Sequence, residues 1–229
     1  MMIILSSIRY DILMDYYPLL LKGTITTIKF SLISVIIGTI LGLLLCFMYL
    51  SDFRLLKLIY TLYINVFRGT PSLVQILIFH FAILPSIGVF PAAVSGIVAL
   101  SFNCGAYISE IFRAGIMSID RGQMEAARSL GMTYAQAMRY VILPQAFQRV
   151  IPPLGNVFIS MLKNSSLVSI ISIQDLTYTG SLISESTLRV WEAWLAVAFL
   201  YLIMTWFLSW GLRHLESRLA KSEIRDNDI

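Results

Sequence analysis

The chain has 229 residues, 58% hydrophobic and only 13% charged, with a formal net charge of +4 and a mean hydropathy of +0.80. Soluble domains carry about 25% charged residues, and a fold of this size has too little interior to hide so much apolar surface. A water-soluble globule is therefore excluded, and lipid is the solvent for most side chains. The two cysteines, Cys46 and Cys104, lie in apolar runs and read as small buried hydrophobes rather than a disulfide framework.

Met1 to Leu21 holds two acids, Asp11 and Asp15, and several aromatics, with no small-residue cleavage site after a clean apolar core, so it does not read as a secretory signal. It reads as a short helix on the membrane surface, with Tyr10, Tyr16 and Tyr17 suited to the interface. A spanning helix needs about 20 apolar residues. Phe30 to Leu50 is uncharged and gives a first span, about 24–50; Gly38 and Gly42 on it permit close helix approach, read as packing within one subunit. Gly69 to Ser109 is 41 residues without a charged side chain, too long for one span and interrupted by Pro85, Gly88 and Pro91. It predicts a hairpin of two spans, about 57–84 and 91–113. Val150 to Gln174 carries one charge, Lys163, and gives a fourth span, about 150–174; uncharged Ala193 to Leu212 gives a fifth, about 192–213, with polar Ser181 to Glu192 as the connector. The prediction is a single all-α membrane domain over residues 1–229, with five transmembrane helices and a polar loop at about 114–149.

Lysine and arginine placement predicts the orientation. With the N-terminus outside and the C-terminus cytoplasmic, eleven basic residues fall inside (Arg54, Lys57, Arg113, Arg121, Arg128, Arg139, Arg149, Arg213, Arg218, Lys221, Arg225) and four outside (Arg9, Lys22, Lys29, Arg189). The polar loop is then cytoplasmic. It reads as two short helices joined at a glycine. Asp120 is placed to cap the first, with Gln123 three residues on; Gly131 stops it; Thr133 caps the second, with Gln136 three residues on. Ala126 and Ala127 leave a small-residue face that fits a groove in another protein.

No phosphate-binding Gly-rich loop is present, so ATP is not bound by this chain. Nor does any His, Cys and carboxylate cluster have metal-ligand spacing: His80 reads as a packed histidine and His214 as part of the basic end of the last span. No serine sits in a nucleophile setting, so no catalytic residue is assigned and the chain is not expected to be an enzyme. Ionisable groups within spans are costly unless paired or hydrated, and so mark function. Asn103, Tyr107 and Glu110 fall at i, i+4, i+7 on one helical face. Lys163, Asn164, Ser165 and Ser166 interrupt an apolar helix. Arg68 precedes Gly69-Thr70-Pro71, a hinge signal because proline removes a donor and disfavours helix before it. These residues predict a solute path, with Lys163 suited to an anionic group of the solute and Glu110, Asn103 and Tyr107 to a cationic one. Pairing of Glu110 with Arg113 is the structural alternative.

Glu125-Ala126-Ala127, then Gly131 and Ile142-Leu143-Pro144, resembles the EAA loop of bacterial ABC importer permeases. Phe67-Arg68-Gly69-Thr70-Pro71, Gly105-Ala106-Tyr107, Glu110 to Gly115 and Lys163 to Leu167 are similar to the polar amino-acid branch (histidine, glutamine and cystine types) of that family. The resemblance covers roughly residues 18–221. It implies the type I ABC importer permease fold and an EAA loop that docks on the ATP-hydrolysing subunit through Arg121, Gln123, Glu125, Ala126, Ala127, Arg128 and Gly131. It implies two copies of that ATPase, which carries ATP and Mg, a second permease (identical or a sister) and an extracytoplasmic solute-binding protein, all at the bacterial cytoplasmic membrane. Nucleic acid is not an expected partner. The stretch from Ser184 through Thr187-Leu188 to Trp206, with Tyr201, looks closest to cystine-type permeases, with glutamine, arginine and histidine as alternatives. A stand-alone secondary transporter or channel is the rival reading; it needs no structured cytoplasmic docking loop.

Overall fold

The computed structural model of the chain describes residues 10–227, and the regular structure among them is entirely helical. Helix α1 is Tyr10–Leu50, α2 Arg54–Gly69, α3 Ser72–Ile87, α4 Ala92–Met117, α5 Arg121–Ser129, α6 Tyr134–Ile171, α7 Leu176–Thr187 and α8 Val190–Asn227. Four of them are long and apolar enough to cross a membrane: α1, α4, α6 and α8. The pair α2 and α3, bent by 108° at a short break, makes a fifth, broken span.

The first expectation to change is the surface helix. Asp11 to Leu21 is continuous with the first span in one helix of 41 residues, about 60 Å long at 1.5 Å per residue and therefore longer than a bilayer core. Pro18 removes one donor from this helix without ending it. Tyr16, Leu19 and Leu20 pack onto Leu176 and Ile183 of α7 and Ala193 and Val197 of α8, which holds the N-terminal turns in helical register. Residues 1–9 lie outside the described part of the chain.

Helix α1 packs closely along α4. A Cβ on Gly38 would lie 2.9 Å from the Cβ of Cys104, and one on Gly42 would lie 2.7 Å from Ile108 Cγ2. The two glycines thus work inside this chain, bringing backbone against backbone. The main core joins α1, α3, α4 and α6 through Phe30, Ile76, Phe79, Leu100, Ile108, Met161 and Val168.

The break between α2 and α3 follows from Gly69-Thr70-Pro71. Thr70 is extended (φ −121°, ψ 148°) and Pro71 has φ −63°, the combination that a proline imposes on itself and its predecessor. Within α3 the residues Phe79–Ile83 form a π turn ahead of Pro85.

The loop after α4 also differs from expectation. Its first short helix is α5, but the second is the start of α6. Tyr134–Ala137 passes through a π turn at Met138–Ile142 into Leu143–Asn164 without a break. A π turn displaces the hydrogen-bond ladder by one residue, which accommodates Pro144 just beyond it. Helix α6 ends as a 3-10 segment, Ser165–Ile171. Its serines explain the tightening: Ser165 donates to Leu162 O (2.8 Å), Ser166 to Lys163 O (2.7 Å) and Ser169 to Ser166 O (2.7 Å), each three residues back. The segment read as a polar connector, Ser181 to Glu192, overlaps the second half of α7, which is capped by Asp175 and ended by Leu188 at φ 56°. The cap signal was present at Asp175, seventeen residues before the last residue of that connector, but polar composition masked the helix.

Candidate functional site

A cavity of about 420 Å³ opens between α3, α4 and α6, within the range of small-ligand sites. Ser72 comes from the first turn of α3, Asn103 and Tyr107 from α4, and Asn156, Val157, Ser160, Met161, Lys163 and Asn164 from α6. On α6 the polar members Asn156, Ser160 and Lys163 stand at i, i+4, i+7, one helical face. Lys163 is the single charged side chain among the nine lining residues, and among the described residues it makes no salt bridge.

Of the residues expected on a solute path, four meet here: Asn103, Tyr107, Lys163 and Asn164. Three do not. Ser165 and Ser166 spend their hydroxyls on the 3-10 turn, and Ser165 is fully buried. Glu110 turns away from the cavity. Its Oε1 accepts from Arg113 Nε (2.9 Å), its Oε2 accepts from Arg113 Nη2 (3.0 Å) and from Arg68 Nη1 (3.3 Å), and Tyr60 donates a further hydrogen bond to it. A carboxylate so engaged has no acceptor capacity left for an ammonium, so Glu110 belongs to an ion-pair cluster that ties α2 to α4. Arg68 links the two groups, because its guanidinium also lies 5.4 Å from the centre of the Tyr107 ring.

The hinge residues Arg68, Gly69 and Pro71 sit at the break beside the cavity. Where the break frees the carbonyls of Phe67 and Thr70, a buried side chain from α3 collects them. Gln75 Nε2 donates to Phe67 O (2.9 Å), Thr70 O (3.1 Å) and Thr70 Oγ1 (2.8 Å). Asn103 Nδ2 reaches the same place, donating to Phe67 O (3.2 Å) and to Gln75 Oε1 (3.0 Å).

At the other end of α4 the loop residues form a second unit. Asp120 Oδ1 accepts from the Gly122 N–H (2.7 Å), starting α5, with no reciprocal bond from Gln123. The reciprocal capping pair is instead complete at Thr133 and Gln136. Gly131 has φ 83°, where glycine alone is unstrained, and the Met132 N–H closes on Ala127 O (3.2 Å) to end the helix. Arg121, Gln123, Glu125, Ala126 and Arg128 are exposed. Ala127 is buried within this chain, so of the alanine pair only Ala126 is free to face a partner. Beneath α5, Ile119, Met124, Met138, Ile142 and Ala146 pack together. Arg149 of α6 donates to Ser118 O (2.6 Å) and Ser118 Oγ (3.1 Å) at the end of α4, so α5 is fastened to both long helices.

Comparison with known proteins bears on both units. Residues 38–221 match the family model described as the inner membrane component of binding-protein-dependent transport systems. The chain belongs to that family of permeases. The probable glutamine ABC transporter permease protein GlnM of Bacillus subtilis is 42% identical to it over 213 residues, covering 93% of this chain and 98% of that one. The L-cystine transport system permease TcyB of the same organism is 38% identical over 222 residues, covering 94% and 93%. A crystal structure of an amino acid ABC transporter with histidines superposes with a TM-score of 0.89 at 43% identity, covering 93% of this chain and 99% of that one. The permease is thus a multi-pass membrane protein of the type I importer fold, and a transport subunit rather than an enzyme.

Several residues that line or lie behind the permease's cavity escaped the sequence reading. Asn156 and Ser160 could have been found from their helical spacing to Lys163. Ser72 and Gln75 could not, because only the bend brings them to α4.

Proposed function

We propose that the permease forms half of the membrane pathway of an ATP-driven importer for polar, zwitterionic amino acids of no net side-chain charge, glutamine and cystine among them. The cavity carries this reading. Its single cation, Lys163, suits a carboxylate; its amides and hydroxyls suit polar side chains; and no carboxylate lines it to neutralise a basic one. The relatives named for glutamine and cystine support the amino-acid class.

In this reading the N-terminus is outside and the exposed face of α5 sits in a cleft of the ATPase. ATP and Mg are held by two copies of that ATPase. Closure of the pair on ATP draws α5 and its counterpart together, and Arg149 and the packing under α5 pass the movement to α4 and α6, the two helices that carry most of the cavity wall. A second permease completes the pathway, and an extracytoplasmic binding protein delivers the solute.

The test is to reconstitute the permease with its co-purifying ATPase and binding protein and to follow ATP hydrolysis while adding single amino acids. Several-fold stimulation by L-glutamine or L-cystine, and none by arginine, is expected. Hydrolysis that ignores every amino acid, or that answers only to basic ones, would refute the substrate class.

A further inference from the structure

We infer that Gln75, which does not line the cavity, sets the hydrogen-bonding polarity of Asn103 so that the cavity offers an acceptor to the solute's ammonium group. The inference rests on the amino-acid reading of the cavity above.

Two backbone carbonyls fix the geometry. Phe67 O and Thr70 O are freed by the Gly69-Thr70-Pro71 break, and a carbonyl oxygen can only accept. Gln75 must therefore turn its amide nitrogen toward them (2.9 and 3.1 Å), which leaves its carbonyl oxygen pointing at Asn103. Asn103 faces Phe67 O and Gln75 Oε1, both acceptors, at 3.2 and 3.0 Å. So its amide nitrogen is the inward atom, and both of that nitrogen's protons are used. Among the described residues its Oδ1 has no protein partner, and Asn103 lines the cavity. The polar atom that Asn103 has left for a solute is an acceptor. Were Gln75 apolar, Asn103 would keep only the longer bond to Phe67 O (3.2 Å) and could rotate to present its donor instead, which an ammonium repels.

Gln75 and Asn103 are both nearly inaccessible, at 5% and 2% exposure, so the arrangement is shielded from water and the two amides cannot exchange partners cheaply. Lys163, on the facing helix, provides the matching cation for the carboxylate. The cavity is then polarised end to end, an acceptor on α4 and a cation on α6, and it orients a zwitterion rather than merely admitting one. Glu110, the obvious acid on α4, is unavailable, and a neutral amide oxygen takes its place.

The experiment uses the permease–ATPase complex in nanodiscs without binding protein, so that only the membrane cavity discriminates. Binding of L-glutamine is compared with binding of its des-amino analogue 4-carbamoylbutanoate, and L-cystine with 3,3′-dithiodipropionate. The unaltered complex is expected to prefer the amino acid by about tenfold or more, the usual worth of a hydrogen bond to a charged group. In Gln75→Met the ratio should fall toward one, while the size-exclusion profile of the complex stays that of the unaltered one. Gln75→Leu removes the donors to Phe67 O and Thr70 O together with the acceptor that faces Asn103. It should act in the same direction and serves if the methionine variant does not fold. An unchanged ratio in either folded variant overturns the inference, because a purely structural clasp would lower both affinities together. Lys163→Met tests the underlying reading separately: it should weaken amino acid and analogue alike, and no loss for either would refute the cavity as the carboxylate site whatever Gln75 does. An unaltered complex that binds none of the four compounds overturns both.

Discussion

Asp175 caps α7 with one carboxylate oxygen, which accepts from the Tyr178 N–H (2.8 Å), and leaves the other without a partner. Burial raises its pKa from 3.8 to about 6, the backbone donors only partly opposing the shift. The folded protein therefore holds this proton more tightly than the unfolded chain does. From about pH 4 to pH 6 the native state binds more protons, so this group's contribution to stability falls as pH rises through that window and is lowest above it. Asp175→Asn keeps an oxygen for the cap and removes the charge. Its stability relative to the parent is expected to rise between pH 4 and pH 7 by a difference on the order of 1–3 kcal/mol, read by thermal unfolding of the purified complex. A flat difference across that range would show that folding does not raise the Asp175 pKa. Glu110 illustrates the opposite solution at the same scale. Two arginines and a tyrosine satisfy it, so a membrane-embedded acid that looks functional by its rarity is structural by its partners. Its i, i+3 spacing to Arg113 was readable in the chain; Arg68 and Tyr60 were not, since they arrive from a different helix.

The helices owe their placement to a few small residues and breaks. Gly42 stands where a side chain would strike Ile108 and the Ser109 backbone nitrogen at 3.0 Å or less. That backbone cannot give way without parting α1 from α4. Gly42→Val is expected to cost roughly 2–4 kcal/mol by overpacking and to cut the yield of folded permease several-fold, measured by size-exclusion profile in detergent. Gly211, with no atom near enough to meet a side chain, is the control: Gly211→Ala should leave the profile unchanged. Local signals fared unevenly among the elements. The Asp120, Thr133 and Gly131 signals marked real helix ends because caps act within one turn of their own position. The same signals did not reveal that the second short helix runs on into α6, because a π turn across Met138–Ile142 has no short-range mark and Pro144 reads as a stop. Helix α7 was hidden for a different reason: its serines and threonines resemble a loop, and its stability comes from Leu176 and Ile183 packing on α8 and on α1, the latter more than 140 residues distant in the chain.

At the scale of the whole molecule, the proposed orientation puts α5 in the cytoplasm and α7 outside. The native cysteines Cys46 and Cys104 are buried, which leaves a quiet background for labelling. A cysteine introduced at exposed Glu185 should react with a membrane-impermeant maleimide in intact cells, and one at exposed Ser129 only after permeabilisation. The reverse pattern would invert the topology. Five crossings, their approximate places and the polar loop that follows α4 were legible in the chain because lipid imposes its own rule: a backbone in hydrocarbon must be helical and apolar over about 20 residues, and that rule acts on local composition. Membership of the permease family was legible for the same reason, through short motifs that stay contiguous. Which polar groups face one another was decided only by the tertiary structure. The 108° bend at Gly69 to Pro71 carries Gln75 to Asn103 and sets Ser72 at the cavity, and the packing of α1 on α4 turns Glu110 toward α2 and its arginines. Composition determines where a chain must be helical; the partners of a buried polar atom depend on how those helices cross, which no single stretch of sequence contains.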